Sequence, residues 1–304
     1  MTIHKALITG GTGFVGSNLA RRLVRDGWQV GIITIPNDNL DQIKDFADQV
    51  KLYVHDGSTD RMHAIVAEAQ PDVVFHLASL FLSEHTPADI TRLVSSNVLF
   101  GTQLLEAMAA QGVAKIVNTG TSWQHYENKP YSPVNLYAAT KQAFEDILQY
   151  YVEARDVQAI TLKLFDTYGP NDPRPKLFHL LDKIAREGTT LAMSPGEQMI
   201  DLVHIDDIVR AFVMAAERLM AGEASGHEKY GVSSEKPMPL KELVELYGCM
   251  IGSQLPIEWG GRPYRDREVM VTCTSLSILA GWSPEIRLED GIRSVSSYCI
   301  SYVS

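Results

Sequence analysis

The sequence is poor in cysteine, and it contains no long hydrophobic run free of charge. Its 304 residues include 3 cysteines, Cys249, Cys273 and Cys299, and no two of them form a CxxC pair. So few cysteines do not make a disulfide framework, and they fit a reducing compartment. No stretch reaches the roughly 18 uncharged apolar residues of a membrane helix, and residues 1–10 lack the apolar segment of a secretory signal. We therefore expect a cytoplasmic protein with no membrane partner.

Basic residues are also scarce relative to acidic ones. The chain has 27 lysines and arginines against 37 aspartates and glutamates, a formal net charge of -10. Nucleic-acid binding depends mainly on clustered lysine and arginine, so we expect no nucleic-acid partner. Glycine and proline are near average usage and 45% of the residues are hydrophobic, which excludes collagen-like and disordered classes. A globular protein of this charge must hold any anionic ligand with a few local groups.

What the first half of the sequence does contain is a regular alternation of short apolar runs and amphipathic segments. Such alternation is typical of βαβ units, and the valine, isoleucine and leucine content of the runs indicates strands covered on both faces. We predict an α/β fold with a Rossmann-like, doubly wound parallel sheet. The predicted strands cover 5–9, 29–34, 50–54, 72–78, 114–118 and 159–165, and the predicted helices cover 17–26, 62–70, 98–111 and 136–154.

A proline-rich segment at 169–175 interrupts this pattern, because proline ends helices and central strands. Beyond it the sequence predicts a strand at 229–233 and helices at 177–186, 208–220 and 240–251. We expect a Rossmann domain formed by 1–165 and 203–233. A smaller, discontinuous C-terminal lobe would consist of 166–202 and 234–304.

Glycines at positions 10, 13 and 16 lie between the first predicted strand and the first predicted helix. In a dinucleotide-binding turn the first glycine permits the bend, the second lets the backbone approach a pyrophosphate, and the third lets the helix pack on the strand. The N–H groups at the helix N-terminus attract phosphate. A turn with only a structural role is the alternative, but this position favours a dinucleotide-binding first domain.

Tyr137 and Lys141 are four residues apart on a predicted helix, so their side chains share one face. The charge of Lys141 is expected to lower the pKa of the Tyr137 phenol, which is otherwise a poor acid or base at neutral pH. Taken alone, the pair is better explained as a solvated surface contact. Thr121, with Ser122 beside it, follows the fifth predicted strand and offers a hydroxyl that can bond a carbonyl while Tyr137 protonates it.

Together these motifs resemble those of the extended short-chain dehydrogenase/reductase family, of the NAD-dependent epimerase/dehydratase type. The resemblance covers nearly the whole chain. G-x-x-G-x-x-G is followed by Asp56-Gly57, H-L-A-S at 76–79, Asn97 and the Y-x-x-x-K pair, and then by L-K-L-F-D-T-Y-G-P at 162–170 and L-A-G-W-S-P at 279–284. Each motif is common by chance, whereas their order and spacing are specific.

The resemblance implies a nicotinamide dinucleotide cofactor and hydride transfer to or from a carbonyl carbon. Tyr137 would supply the proton, Thr121 would hold the developing alkoxide, and Lys141 would also bond the nicotinamide ribose. Thr34 stands where the family usually has an acid for the adenosine ribose, so we predict NADP; NAD is the alternative, since 35–41 lacks arginine and lysine. The predicted cofactor-binding residues are Gly10, Thr12, Gly13, Phe14, Val15, Gly16, Thr34, Asp56, Gly57, Leu77, Ala78, Ser79, Asn97, Thr119, Tyr137, Lys141 and Phe165.

The resemblance also implies a nucleotide-diphosphate sugar substrate, held by the second lobe. Asp166 replaces the asparagine with which relatives hold the diphosphate, while the arginines at 262–267 offer planar groups suited to it. The predicted substrate-binding residues are Ser122, Asp166, Arg174, Lys176, Arg262 and Arg265.

Within the family, the sequence is most similar to the 4-ketoreductases that finish deoxysugar nucleotides such as CDP-abequose or CDP-paratose. We expect NAD(P)H-dependent reduction of the 4-keto group of a nucleotide-diphosphate 4-keto-6-deoxyhexose. A nucleotide-sugar 4-epimerase and a non-catalytic dinucleotide sensor are the alternatives. No G-x-S-x-G elbow supports a serine hydrolase, and H-I-D-D at 204–207 resembles a helix start of the family, so no metal is expected. The family also implies a homodimer formed through helices 98–111 and 136–154.

Overall fold

Short strands and longer helices alternate through the computed structural model, which describes residues 3–296. The strands are β1 Lys5–Thr9, β2 Gln29–Thr34, β3 Val50–Val54, β4 Val73–His76, β5 Lys115–Thr121, β6 Gln158–Leu164, β7 Asp166–Tyr168, β8 Leu191–Met193, β9 Met199–Ile200, β10 Leu202–His204, β11 His227–Val232, β12 Met238–Pro239 and β13 Ile257–Trp259. The helices are α1 Phe14–Arg25, α2 Thr59–Ala69, α3 Ile90–Val94, α4 Phe100–Ala110, α5 Leu136–Ala154, α6 Leu177–Glu187, α7 Ile205–Met220, α8 Leu240–Ile251 and α9 Leu288–Val295.

Seven of these strands form one sheet in the order β11-β6-β5-β4-β1-β2-β3, and every neighbouring pair is parallel. The winding direction reverses between β1 and β4. The loops that leave the carboxyl ends of these two strands therefore diverge and open a crevice, which is where ligands bind in open α/β sheets. The predicted doubly wound α/β fold is confirmed.

Apolar side chains cover both faces of the sheet, as the composition of the strands requires. On one face α1 and α7 pack together and contribute side chains such as Leu19 and Phe212. On the other, α2, α4 and α5 contribute Met62, Leu104 and Phe144. All five side chains are fully buried. Helix α5 matches the predicted range 136–154 and packs against strands β5 and β6.

A π turn at Ser95–Leu99 joins α3 to α4, so that 90–110 forms one nearly continuous helix. A π turn holds one residue more than an α-helical turn and often occurs at functional sites. Asn97 lies inside this turn and is buried. The sequence predicted only the helix that follows.

The remaining strands form three short pairs, β7 with β10, β8 with β13 and β9 with β12. Around them α6, α8 and α9 bury a separate cluster that includes Leu181, Leu243 and Ile292. The division of the chain into two domains stays a prediction. Residues 297–304 of the predicted C-terminal lobe, among them Cys299, lie outside the described residues. Cys249 and Cys273 are free thiols. No helix in residues 3–296 has the length and apolar character needed to cross a bilayer.

Candidate active site

The glycine turn lies at the crevice between β1 and β4. Gly10 has a φ of +69°, and a Cβ there would stand 2.7 Å from the backbone N of Ala78 in the opposite loop. Gly16 packs against the Gly10 carbonyl, whereas a Cβ on Gly13 would meet only that carbonyl oxygen, at 3.4 Å. Of these three glycines, only Gly13 has room for a Cβ at an ordinary contact distance. The backbone at Gly13, at the N-terminus of α1, is thus open to a pyrophosphate, as the dinucleotide interpretation requires.

A cavity of about 630 Å³ opens beside this turn. Asp56 is held in its wall by the Ser58 backbone and hydroxyl, which donate to its carboxylate at 2.9 and 2.7 Å. These hydrogen bonds lower the pKa of Asp56. The predicted cofactor-binding residues that line this cavity are Gly10, Thr12, Gly13, Thr34, Asp56, Gly57, Leu77, Ala78 and Ser79.

Asp38, in the loop after β2, also lines this cavity, and it is not among the predicted cofactor-binding residues. Pro36 and Asn37, whose φ is +60°, form a turn closed by a bond from Asp38 N to Ile35 O. The turn folds the loop back, and the Thr12 hydroxyl donates to the Asp38 carboxylate at 2.9 Å. A carboxylate therefore lies in the same cavity as Thr34.

Asn97 was predicted to bind the cofactor, but its contacts are with the protein. Its carbonyl oxygen accepts from Leu80 N at 2.7 Å, and its amide donates to Leu80 O and to the Thr140 hydroxyl, both at 3.0 Å. It does not line the large cavity. Asn97 ties the loop after β4 to α5, so its part in the site is to hold that loop in place.

A second cavity, of about 190 Å³, continues from the first and shares Leu77 and Ser79 with it. It brings together the three residues predicted to be catalytic. The predicted residues that line it are Val15, Leu77, Ser79, Thr119, Thr121, Ser122, Tyr137, Lys141, Phe165, Asp166, Arg174 and Lys176. Phe14 lies to the side, where its ring packs under the Arg174 guanidinium at 4.7 Å.

Thr121 is the last residue of β5, which ends three residues later than predicted because 119–121 still pair with β6. It caps a short 3₁₀ turn at 122–124, and its hydroxyl oxygen accepts a bond from Trp123 N at 3.3 Å. A hydroxyl has two acceptor positions and one proton. With one lone pair turned toward the chain, the proton is available to a ligand in the cavity.

Tyr137 and Lys141 begin α5, whose N-terminus is capped by Asn135 accepting from Ala138 N at 2.9 Å. The expected lowering of the Tyr137 pKa is wrong for this structure. Burial raises the pKa of Tyr137 to about 12, and the Ser79 hydroxyl and Arg174 charge only partly oppose it. Burial also lowers the pKa of Lys141 to about 8, although the Glu145 charge acts in the other direction. In the absence of a ligand, Tyr137 is a protonated phenol at neutral pH.

Two further cavities, of about 350 and 210 Å³, adjoin the catalytic one and share Trp123 and Asp166 with it. Arg174 and Lys176 line the larger, while Arg265 lines both. Burial raises the pKa of Asp166, against the opposing charges of Lys176, Arg265 and Arg174. The two cavities are lined by these three cations and also by five carboxylates, so the positive charge is confined to Arg174, Lys176 and Arg265.

The three arginines predicted near 262–267 do not act alike. Arg265 pairs with Glu268 at 2.7 Å and lies 5.4 Å above the Trp123 ring. Arg267 donates to the Ser132 hydroxyl. Arg262 is exposed, and its backbone N–H donates to Met193 O. It lines neither of the two cavities that Arg265 lines. Its predicted role has no support in the geometry, whereas that of Arg265 has.

Two aromatic side chains that were not predicted to be functional, Phe81 and Trp123, form one wall of the catalytic cavity. The Phe81 ring lies edge-on to Tyr137 with centroids 5.0 Å apart and is 5.6 Å from Trp123. Phe81 comes just after the H-L-A-S motif, and Trp123 just after Thr121, so proximity to known motifs is the one signal that could have marked them. No group of three or more histidines, cysteines or carboxylates within residues 3–296 could hold a metal ion.

Comparison with known proteins gives relatives over the full length of the chain. A CDP-abequose synthase of Salmonella muenchen is 29% identical over 96% of this chain and 97% of its own length. A UDP-glucose 4-epimerase of Mycolicibacterium smegmatis is 27% identical over 97% and 98%.

Solved structures share the fold. A UDP-N-acetylglucosamine 4-epimerase from Methanobrevibacter ruminantium, in complex with UDP-N-acetylmuramic acid, superposes with a TM-score of 0.84, 21% identity and full coverage of both chains. A UDP-glucose 4-epimerase from Thermus thermophilus, in complex with NAD, gives a TM-score of 0.80 at 21% identity over 98% of this chain and 99% of that one. Residues 6–230, which include the glycine turn and the Thr121, Tyr137 and Lys141 set, match the NAD dependent epimerase/dehydratase family, and the chain belongs to that family.

Proposed function

We propose that this protein is an NAD(P)H-dependent 4-ketoreductase of a nucleotide-diphosphate 4-keto-6-deoxyhexose. One observation carries the proposal: a threonine hydroxyl, a protonated phenol and a buried lysine line a single cavity between the dinucleotide crevice and the cleft that Arg174, Lys176 and Arg265 line. The full-length similarity to a CDP-abequose synthase supports a nucleotide sugar as the substrate.

The geometry suits protonation of a carbonyl oxygen. The Thr121 hydroxyl, which accepts from Trp123 N, is free to donate to the C4 oxygen. A reduced nicotinamide dinucleotide held at the glycine turn would supply the hydride that C4 receives and would itself be oxidised. Tyr137 gives its phenolic proton to the oxygen, so that the ketone becomes a secondary alcohol. The Lys141 charge then stabilises the phenolate until solvent returns the proton.

The aromatic wall supports a deoxysugar. Phe81 and Trp123 present apolar surface beside Tyr137. A 6-hydroxyl packed against these rings would lose hydrogen bonds to water, whereas a 6-methyl group loses none. Arg265 and Lys176 in the adjoining cavities provide charge for the diphosphate.

The coenzyme preference depends on the loop after β2. Thr34 offers no carboxylate, which is why the sequence predicts NADP. Asp38, tethered by Thr12 in the same cavity, can accept from ribose hydroxyls and would repel a 2′-phosphate. This contact argues for NAD(H), and NADP stays a prediction based on Thr34 alone.

The test is the stoichiometry of the reaction. The purified protein is given NADH or NADPH together with CDP-, dTDP-, UDP- or GDP-linked 4-keto-6-deoxyhexoses, and dinucleotide oxidation is measured against sugar reduced. One dinucleotide oxidised per sugar is expected. Tyr137→Phe is expected to lose about 100-fold or more of the rate, because it removes the acid.

The 27% identity to a UDP-glucose 4-epimerase favours a second candidate, a 4-epimerase. Interconversion of two sugar nucleotides without net change in dinucleotide would establish it and would exclude the reductase. A non-catalytic sensor would bind dinucleotide and turn over no sugar, with Tyr137→Phe leaving its cellular phenotype intact.

We also propose a homodimer through α4 and α5. These helices pack side by side, and Tyr150 of α5 is 53% exposed. Light scattering after gel filtration should give twice the chain mass; a monomer at micromolar concentration would contradict the proposal.

A further inference from the structure

A buried chain of hydrogen bonds connects the end of β5 to the helix that carries Tyr137. Thr121 N donates to Gln124 Oε1 at 3.0 Å, and Gln124 Nε2 donates to Glu145 Oε1 at 2.7 Å. Gln124 and Glu145 are both fully buried. One amide side chain thus spans from the backbone of the proposed oxyanion-binding residue to a carboxylate on α5.

The spacing along α5 gives this connection its significance. Tyr137, Lys141 and Glu145 are four residues apart in succession, so all three project from one face of the same helix. The residue that holds the Thr121 turn is therefore part of the same rigid element as the proposed acid. The distance between Thr121 and Tyr137 is set through Gln124 as well as through the sheet.

The charge of Glu145 fixes the orientation of the Gln124 amide. Burial alone would raise the pKa of Glu145, but the ammonium groups of Lys163, at 3.3 Å, and Lys229, at 3.0 Å, contribute to an overall lowering. An ionised carboxylate accepts hydrogen bonds only. Gln124 must turn its NH₂ group toward Glu145, and its oxygen then faces the Thr121 N–H.

We propose that Gln124 and Glu145 are positioning residues that hold the Thr121 hydroxyl at the correct distance from the Tyr137 phenol. Neither side chain lines the catalytic cavity, so they act through Thr121. A displacement of about 1 Å in such a pair can cost on the order of 100-fold in rate without loss of ligand binding. The inference depends on the proposed function in one respect: the rate is measured with the proposed reduction of a keto sugar.

The informative variant is Gln124→Met, which keeps the length of the side chain and removes its three hydrogen bonds, to Thr121 N, Glu145 and Gln142. Glu145→Gln keeps an acceptor for Gln124 and serves as the conservative change, although it leaves Lys163 and Lys229 without their buried counter-charge. Gln142→Met is the matched control, because Gln142 accepts from the same Gln124 amide at 2.7 Å but does not connect to Thr121.

Three quantities are measured for each variant: kcat and KM for the keto sugar, dinucleotide affinity by fluorescence titration, and deuterium exchange of the segment 119–124. For Gln124→Met we expect kcat to fall about 10- to 100-fold, with KM and dinucleotide affinity within about twofold and faster exchange confined to that segment. Glu145→Gln should lose less, the double variant should lose no more than Gln124→Met, and Gln142→Met should resemble the parent.

A Gln124→Met protein with the parent kcat refutes the inference, and so does one whose dinucleotide affinity falls as much as its kcat. If the parent protein reduces no keto sugar, the proposed function fails. The exchange data then test the inference separately. Unchanged exchange at 119–124 in Gln124→Met refutes a positioning role for Gln124, and faster exchange there supports it.

Discussion

Lys141 is expected to set the upper pH limit of the reaction. Burial lowers the pKa of the Lys141 ammonium to about 8 and raises the pKa of the Tyr137 phenol to about 12. The phenol therefore keeps its proton across the range in which Lys141 loses its own. Because the charged amine is the active form, the rate should fall as pH rises through the pKa of Lys141.

The size of the effect follows from these two values. At about one pH unit above its pKa, roughly a tenth of a group remains protonated. The rate of keto-sugar reduction should be constant near pH 6 to 7 and about tenfold lower near pH 9, measured as dinucleotide oxidation under saturating ligands. Lys141→Arg keeps a charge at all these pH values, so it should remove the fall even if its overall rate is lower. A rate that rises with pH up to about 9 would refute the reasoning, because it would make the phenolate the active form.

Three further outcomes are expected. Asp38→Asn should raise the affinity for NADPH relative to NADH about tenfold by fluorescence titration, whereas Asp41→Asn, an equal charge change outside the cavity, should leave the ratio unchanged. Phe81→Ala should reduce the preference for 6-deoxy over 6-hydroxy keto sugars in kcat/KM by about tenfold, and an unchanged preference would remove Phe81 from the substrate wall. Gly10→Ala should lower the free energy of unfolding by roughly 1–3 kcal/mol in urea titration, because its φ of +69° and the 2.7 Å approach to Ala78 N both oppose a Cβ; a stability equal to that of the parent would contradict this.

Much of this architecture could be predicted because the signals are local. The apolar runs that form β1, β2 and β3, and the helix at 136–154, have the predicted bounds. The end of β5 could not be predicted from composition: Thr119, Gly120 and Thr121 are typical of a turn, and it is pairing with β6 that extends the strand.

Electrostatics was the other limit. Spacing on a helix correctly brings Tyr137 and Lys141 to one cavity, but it contains no information on burial, and burial reverses the expected pKa shift of the phenol. Similarly, the sequence cannot distinguish Arg265, which enters the cleft, from Arg262, which does not, because their orientation depends on how a loop packs on β8 and Trp123.

The π turn at 95–99 makes the site sensitive to chain length as well as to side-chain chemistry. Deleting one residue there would let the turn relax to an ordinary α-helix, and each residue of an α-helix rotates the face by about 100°. Asn97 would then point away from Leu80 and Thr140, and the loop after β4 would lose its anchor on α5. A homologue without the extra residue would need another contact to fix the loop after β4. The π turn therefore marks those homologues in which an asparagine on this helix holds that loop.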